Sequence, residues 1–102
     1  MLIPTATGYD ADALGNQSVA IGENAYAGGT NSVVMGHDAY NSPAGNATVA
    51  IGFNAHAGAY SAISIGQNAS VTRSEGIAIG ASSVGGNAYS IALDITRTKT
   101  YC

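Results

Sequence analysis

The pentapeptide Ser18-Val19-Ala20-Ile21-Gly22 returns again and again along this chain, and no other feature narrows the available folds so far. It recurs as Ser32-Val33-Val34-Met35-Gly36, Thr48-Val49-Ala50-Ile51-Gly52, Ala62-Ile63-Ser64-Ile65-Gly66 and Gly76-Ile77-Ala78-Ile79-Gly80. A worn copy, Ser90-Ile91-Ala92-Leu93-Asp94, closes the series. Successive closing glycines are 14 residues apart, except for 16 between Gly36 and Gly52. Counting back from Gly22 reaches Gly8. A fixed apolar period of this length is the mark of a solenoid.

A second motif follows each glycine: Gly22-Glu23-Asn24-Ala25-Tyr26-Ala27, Gly36-His37-Asp38-Ala39-Tyr40-Asn41, Gly52-Phe53-Asn54-Ala55-His56-Ala57. Gly, Asn and Asp accept left-handed backbone angles at low cost, so Gly-x-Asn/Asp predicts a turn. Two short strands and two turns fit in one period. The recurring glycines and β-branched residues argue against a helix. Each repeat is thus expected to form one coil of a parallel β-solenoid. Strand one is the Ser-Val-Ala-Ile-Gly segment and strand two the Ala-x-Ala segment. Coils stacked about 4.8 Å apart give a height of roughly 29 Å from Gly8 to Asp94.

Alternation along strand two places Ala25 and Ala27 inside and Tyr26 outside. The outward series is Asp12, Tyr26, Tyr40, His56, Ser70, Val84. Strand one is apolar on both faces: Val19, Ile21, Val33, Met35, Val49, Ile51, Ile63, Ile65, Ile77 and Ile79 on one, Ala20, Val34, Ala50 and Ala78 on the other. A thin coil covers one face only, so the other is expected to meet a second copy of the chain. Ala50 and Ala78 are expected at that subunit contact. Each buried Val or Ile contributes roughly 1.5 to 3 kcal/mol, against about 1 to 2 kcal/mol for ordering each residue's backbone. Association has to supply the difference.

These repeats resemble the YadA-like head of trimeric autotransporter adhesins over about residues 5 to 94. The resemblance implies a left-handed parallel β-roll assembled as a homotrimer. Handedness and the number three rest on it alone. The adhesins also have a signal peptide, stalk and membrane anchor, which these residues do not resemble. Similar repeats occur in phage fibre proteins. A native start at Met1 favours a virion protein, and a start introduced by cloning favours an adhesin fragment. The whole chain, 1–102, reads as one head-like domain, with 95–102 as a tail.

Composition bounds the function. Of 102 residues 9% are charged, the net charge is −3, and Lys plus Arg number 3. Phosphate neutralisation needs clustered Lys and Arg, so nucleic acid is not an expected partner. The one cysteine, Cys102, builds no disulfide within the chain. No stretch reaches the roughly 18 apolar residues of a membrane span, so no membrane insertion by this segment is expected.

No catalytic constellation is visible, and no enzyme activity, metal or cofactor is expected. His37 and His56 occupy different repeat positions, with no ligand partners at zinc spacing. Asp10 and Asp12 lack the remainder of a calcium loop. Asn16-Gln17-Ser18, Asn46-Ala47-Thr48 and Asn68-Ala69-Ser70 match the glycosylation pattern, but Asn recurs there for turn geometry. The informative positions are Tyr26, Tyr40 and His56, one above another, with Pro43 in the inserted stretch Asn41 to Asn46. Exposed aromatics beside a protruding loop suit a contact site. The expected function is a non-enzymatic surface-attachment module on a bacterial cell or virion, presenting repeated side chains to a host-surface protein, matrix protein or glycan. The alternative is a rigid spacer or virion decoration with no ligand of its own.

Overall fold

The computed structural model describes residues 3–86 and 88–93. Asp94, the 95–102 tail and Cys102 lie outside the described residues. The sequence winds into six stacked coils, 8–21, 22–35, 36–51, 52–65, 66–79 and 80–93, here coils 1 to 6. Two parallel sheets run up the stack. The longer strands build a seven-stranded sheet: β1 (Thr5–Thr7), β3 (Val19–Ile21), β5 (Val33–Met35), β7 (Val49–Ile51), β9 (Ile63–Ile65), β11 (Ile77–Ile79) and β13 (Ile91–Leu93). The shorter ones build a six-stranded sheet: β2 (Asp12–Ala13), β4 (Tyr26–Ala27), β6 (Tyr40–Asn41), β8 (His56–Ala57), β10 (Ser70–Val71) and β12 (Val84–Gly85). The register pairs Ala20 with Val34, Val34 with Ala50, Ala50 with Ser64 and Ser64 with Ala78, so the parallel β-solenoid expected from the period is observed.

The strands are short because each coil turns twice. The first corner is the predicted Gly-x-Asn/Asp turn. Asp10, Asn24, Asp38, Asn54, Asn68 and Ser82 have φ between 57° and 60°. Each turn closes with a hydrogen bond from the residue after it to the marker glycine, such as Ala25 N to Gly22 O at 3.2 Å. A left-handed third residue is the pattern of a type II turn. The glycines are needed for a second reason. Gly22 has φ 129°, and a Cβ there would sit 2.7 Å from the Gly36 carbonyl oxygen of the next coil.

The second corner has its own left-handed column, which the motif does not announce: Gln17, Asn31, Ala47, Ser61, Glu75 and Tyr89. The stack supports these strained angles. Ser61 N donates to Asn46 O at 2.9 Å and Glu75 N to Tyr60 O at 2.8 Å, each bond reaching the preceding coil. Corners are thereby laddered as the strands are.

The interior is narrow and lined with small side chains. Ala25, Ala27, Ala39, Ala55, Ala57, Ala62 and Ala69 are all 0% exposed. Strand one obeys the same rule, and this corrects one expectation. Ala20, Val34, Ala50, Ser64 and Ala78 are also fully buried within the single chain. Ala50 and Ala78 therefore point into the coil and not toward a subunit contact. A coil this thin has no room for two rows of Val and Ile, so the larger side chains turn outward. Val19, Ile21, Val33, Val49, Ile51, Ile63, Ile65 and Ile77 are half-buried, and Met35 and Ile79 are exposed. The outer face of the seven-stranded sheet is an apolar strip without cover from its own chain.

The long coil places its two extra residues at the second corner. Gly45 N donates to Ser42 O at 2.8 Å, closing a turn over the exposed Pro43 and Ala44. Beneath it Asn41 occupies the inward position that Ala27 and Ala57 hold in the neighbouring coils. Its Oδ1 accepts from Gly28 N at 2.8 Å, and its Nδ2 donates to Gly45 O at 3.0 Å and Thr48 Oγ1 at 2.6 Å. Thr48 Oγ1 lies 3.1 Å from Ser32 Oγ, which donates to Gly45 O at 3.0 Å. Asn41, Thr48 and Ser32 are buried but none lacks a partner, as a low-dielectric interior demands.

Candidate functional site

The outer face of the six-stranded sheet carries the predicted column. Register places Tyr26 beside Tyr40 and Tyr40 beside His56. Strand alternation turns all three outward, while Ala27, Asn41 and Ala57 point in. Tyr40 is 40% exposed; Tyr26 and His56 are half-buried.

The three do not form one continuous stack. Tyr40 and His56 lie face to face, with centroids 4.2 Å apart and planes within 12°. Tyr26 folds instead across Gly28, whose absent Cβ leaves room for the ring edge, and His56 likewise reaches over Gly58. Burial against the coil pushes the His56 pKa below its usual 6.5, because desolvation disfavours the charged ring. A neutral imidazole against a phenol gives an apolar contact at neutral pH. Pro43 and Ala44 stand exposed on the corner beside Tyr40, and Ser42 Oγ ties that corner to the next coil through Gly58 O at 2.9 Å.

A second aromatic group, on the first corner, was not anticipated. Phe53 packs at a tilt on His37, with centroids 5.2 Å apart. The imidazole Nε2 of His37 is 3.5 Å from Glu23 Oε1 and 3.5 Å from Asp38 Oδ2. These pairs are well exposed, so they add little to stability. The signal for this group was present in the sequence, as Glu23, His37 and Phe53 occupy one repeat position. Asn24 Nδ2 donates to Asp38 Oδ1 at 3.2 Å and Asn54 Nδ2 to Asn68 Oδ1 at 2.9 Å, which extends the corner as a polar ladder.

Among the described residues no group of three or more His, Cys, Asp or Glu is placed to hold a metal ion. No helix among them is long and apolar enough to cross a membrane. Asn46 Oδ1 accepts from Thr30 N at 2.8 Å, so this glycosylation-pattern Asn does serve the corner geometry.

Parallel coils, two left-handed corners per turn and a small-residue interior define a β-solenoid of the head-module type. The family model for the YadA head domain repeat matches residues 5–25, 13–39 and 44–69, more than half of the chain. The chain belongs to this family of adhesin-type, surface-exposed head modules. No curated protein matches it.

Proposed function

We propose that residues 1–102 form one head-like domain of a non-enzymatic trimeric attachment module, displayed on a bacterial cell or virion and presenting repeated side chains to a host-surface protein, matrix protein or glycan. The observation that carries the reading is the Tyr40–His56 stack beside the exposed Pro43–Ala44 corner. Tyr26, Tyr40, His56 and Pro43 form the contact surface. Aromatic side chains suit it because they carry large apolar area with few torsions to freeze. Each chain is a left-handed β-roll, and in the trimer the Val/Ile strip of each turns toward the threefold axis. That strip replaces Ala50 and Ala78 as the subunit-facing surface. Three contact surfaces on one body allow weak sites to combine, raising avidity by roughly 10² to 10⁴ where geometry permits.

A second reading has its own support. Tyr26 over Gly28 and His56 over Gly58 shield backbone that small residues leave bare. Shielding alone suits a rigid spacer or virion decoration. The triple variant Tyr26→Ala, Tyr40→Ala, His56→Ala separates the two. Titrated over cells, matrix proteins and glycans, it is expected to remain trimeric by light scattering and to lose attachment by tenfold or more, as roughly 1.4 kcal/mol would do. Full-strength attachment by a trimer that melts normally places the contact elsewhere. No saturable binding by the native trimer to any ligand supports the spacer.

A further inference from the structure

The apolar strip is too narrow to hold copies together alone. From β3 to β13 it is two outward side chains wide, about 7 Å, and about 24 Å tall, a footprint of about 170 Å². Stable interfaces cover about 800 Å² on each partner. The corners flanking the strip must therefore join any contact between copies. Coil 4 differs from the others at those corners. Phe53, one residue past the marker glycine, is 45% exposed, and Tyr60, on the opposite corner, is 54% exposed. The same two positions hold Glu23 and Thr30 in coil 2, His37 and Asn46 in coil 3, and Gln67 and Ser74 in coil 5. Among these coils only coil 4 has an aromatic ring on both flanks.

We propose that Phe53 of one copy packs against Tyr60 of the next, forming an aromatic clasp between subunits on coil 4. The inference rests on the trimeric reading above and adds the residues that close the ring. In a closed ring of parallel chains every contact is head-to-tail, so one flank of each copy meets the opposite flank of its neighbour. Rotation about the axis leaves equal coils at equal heights, which brings coil 4 against coil 4. Phe53 is already braced from within its own chain by His37, 5.2 Å away, so little freedom is lost when the far side is covered. Aromatic pairs of this kind favour tilted or offset contact.

The test is cross-linking of the full chain carrying Cys102→Ser. With Phe53→Cys and Tyr60→Cys together, a short bis-maleimide is expected to convert most of the protein to a covalent trimer on a denaturing gel. Either cysteine alone should leave single chains, because neither flank meets itself. A double variant that scatters light as a trimer yet cross-links no better than the single variants overturns the clasp and leaves the trimer standing. A native chain that is a folded monomer overturns both. Should the cysteine variant not fold, Phe53→Tyr offers a milder route. Photo-oxidation is then expected to link residues 53 and 60 of different chains, mapped by peptide analysis, and absence of that link from a trimer counts against the proposal.

Discussion

Coils 2 and 3 are joined by a different chemistry from coils 5 and 6. Between coils 2 and 3 the contact is polar: Thr48 with Ser32 and Ser32 with the Gly45 carbonyl are buried, Asn41 with Gly28 is partly buried, and Asn46 with Thr30 closes the exposed rim. Between coils 5 and 6 it is a fit of sizes. Val71 fills the interior, and its register partner Gly85 has no side chain, so that a Cβ there would lie 2.9 Å from Val71 Cγ2. The backbone ladder is the same in both places. An inserted corner uncovers backbone groups that only hydrogen bonds can satisfy, whereas a regular corner leaves a slot that only volume has to match.

The largest effect is expected where the polar seam is cut. Asn41→Ala leaves Gly28 N–H and Gly29 N–H without the acceptor they share, while the Gly45 carbonyl and Thr48 Oγ1 lose one partner but keep others. At about 1 to 3 kcal/mol for each buried unsatisfied group, with partial relief from entering water, the net loss should be about 3 kcal/mol in urea unfolding. A loss under about 0.5 kcal/mol, the range of an ordinary surface change, would mean the seam is dispensable.

The size-matched junction should respond more gently and in a compensating way. Val71→Ala opens a cavity and Gly85→Ala overpacks one, each costing about 1 to 3 kcal/mol. Combined, they are expected to cost less than the sum by about 1 kcal/mol, a coupling that a double-mutant cycle reads directly. Strict additivity would show that the two residues do not share one slot.

The smallest effect should mark the boundary between the two styles. Ser64 sits in the interior of coil 4, and its Oγ is buried with no hydrogen-bond partner. Ala50 and Ala78 hold the same position on either side. Ser64→Ala removes the orphaned hydroxyl and should stabilise the chain by about 1 kcal/mol, raising Tm by a few degrees. A lower Tm would reveal a partner for that hydroxyl.

The coil, its period and the first corner were legible because glycine and Asn/Asp mark them in the sequence. The second corner was not, since Gln17, Ala47 and Glu75 adopt left-handed angles that their side chains do not advertise. Ala47 and Glu75 do so with hydrogen bonds to the preceding coil, Ala47 N to Thr30 O at 2.7 Å and Glu75 N to Tyr60 O at 2.8 Å, which is information from the stack and not from the residue. The orientation of strand one departs from the sequence expectation for a related reason. Val and Ile usually mark the inside, but the width of the cavity decides, and that width is set by the alanines of both strands together. The outward placement of Tyr26, Tyr40 and His56 followed from strand alternation. The departure of Tyr26 from the stack did not, as it depends on the bare surface of Gly28.

The glycine column of the first corner also governs where such a chain can change. Gly8, Gly22, Gly36, Gly52 and Gly66 each lack space for a single added carbon against the next coil. Across from them, Gly15 and Gly29 are just as tight, a Cβ at either running into the carbonyl oxygen of the next coil, but the position opens up the stack and passes to Ala59 and then Arg73. One edge of the molecule is consequently a rail and the other a margin. Whole coils can be added or lost along the rail, each altering length by about 4.8 Å. New loops arrive along the margin, where the Pro43–Ala44 insertion already sits. Length and loop content can therefore change independently.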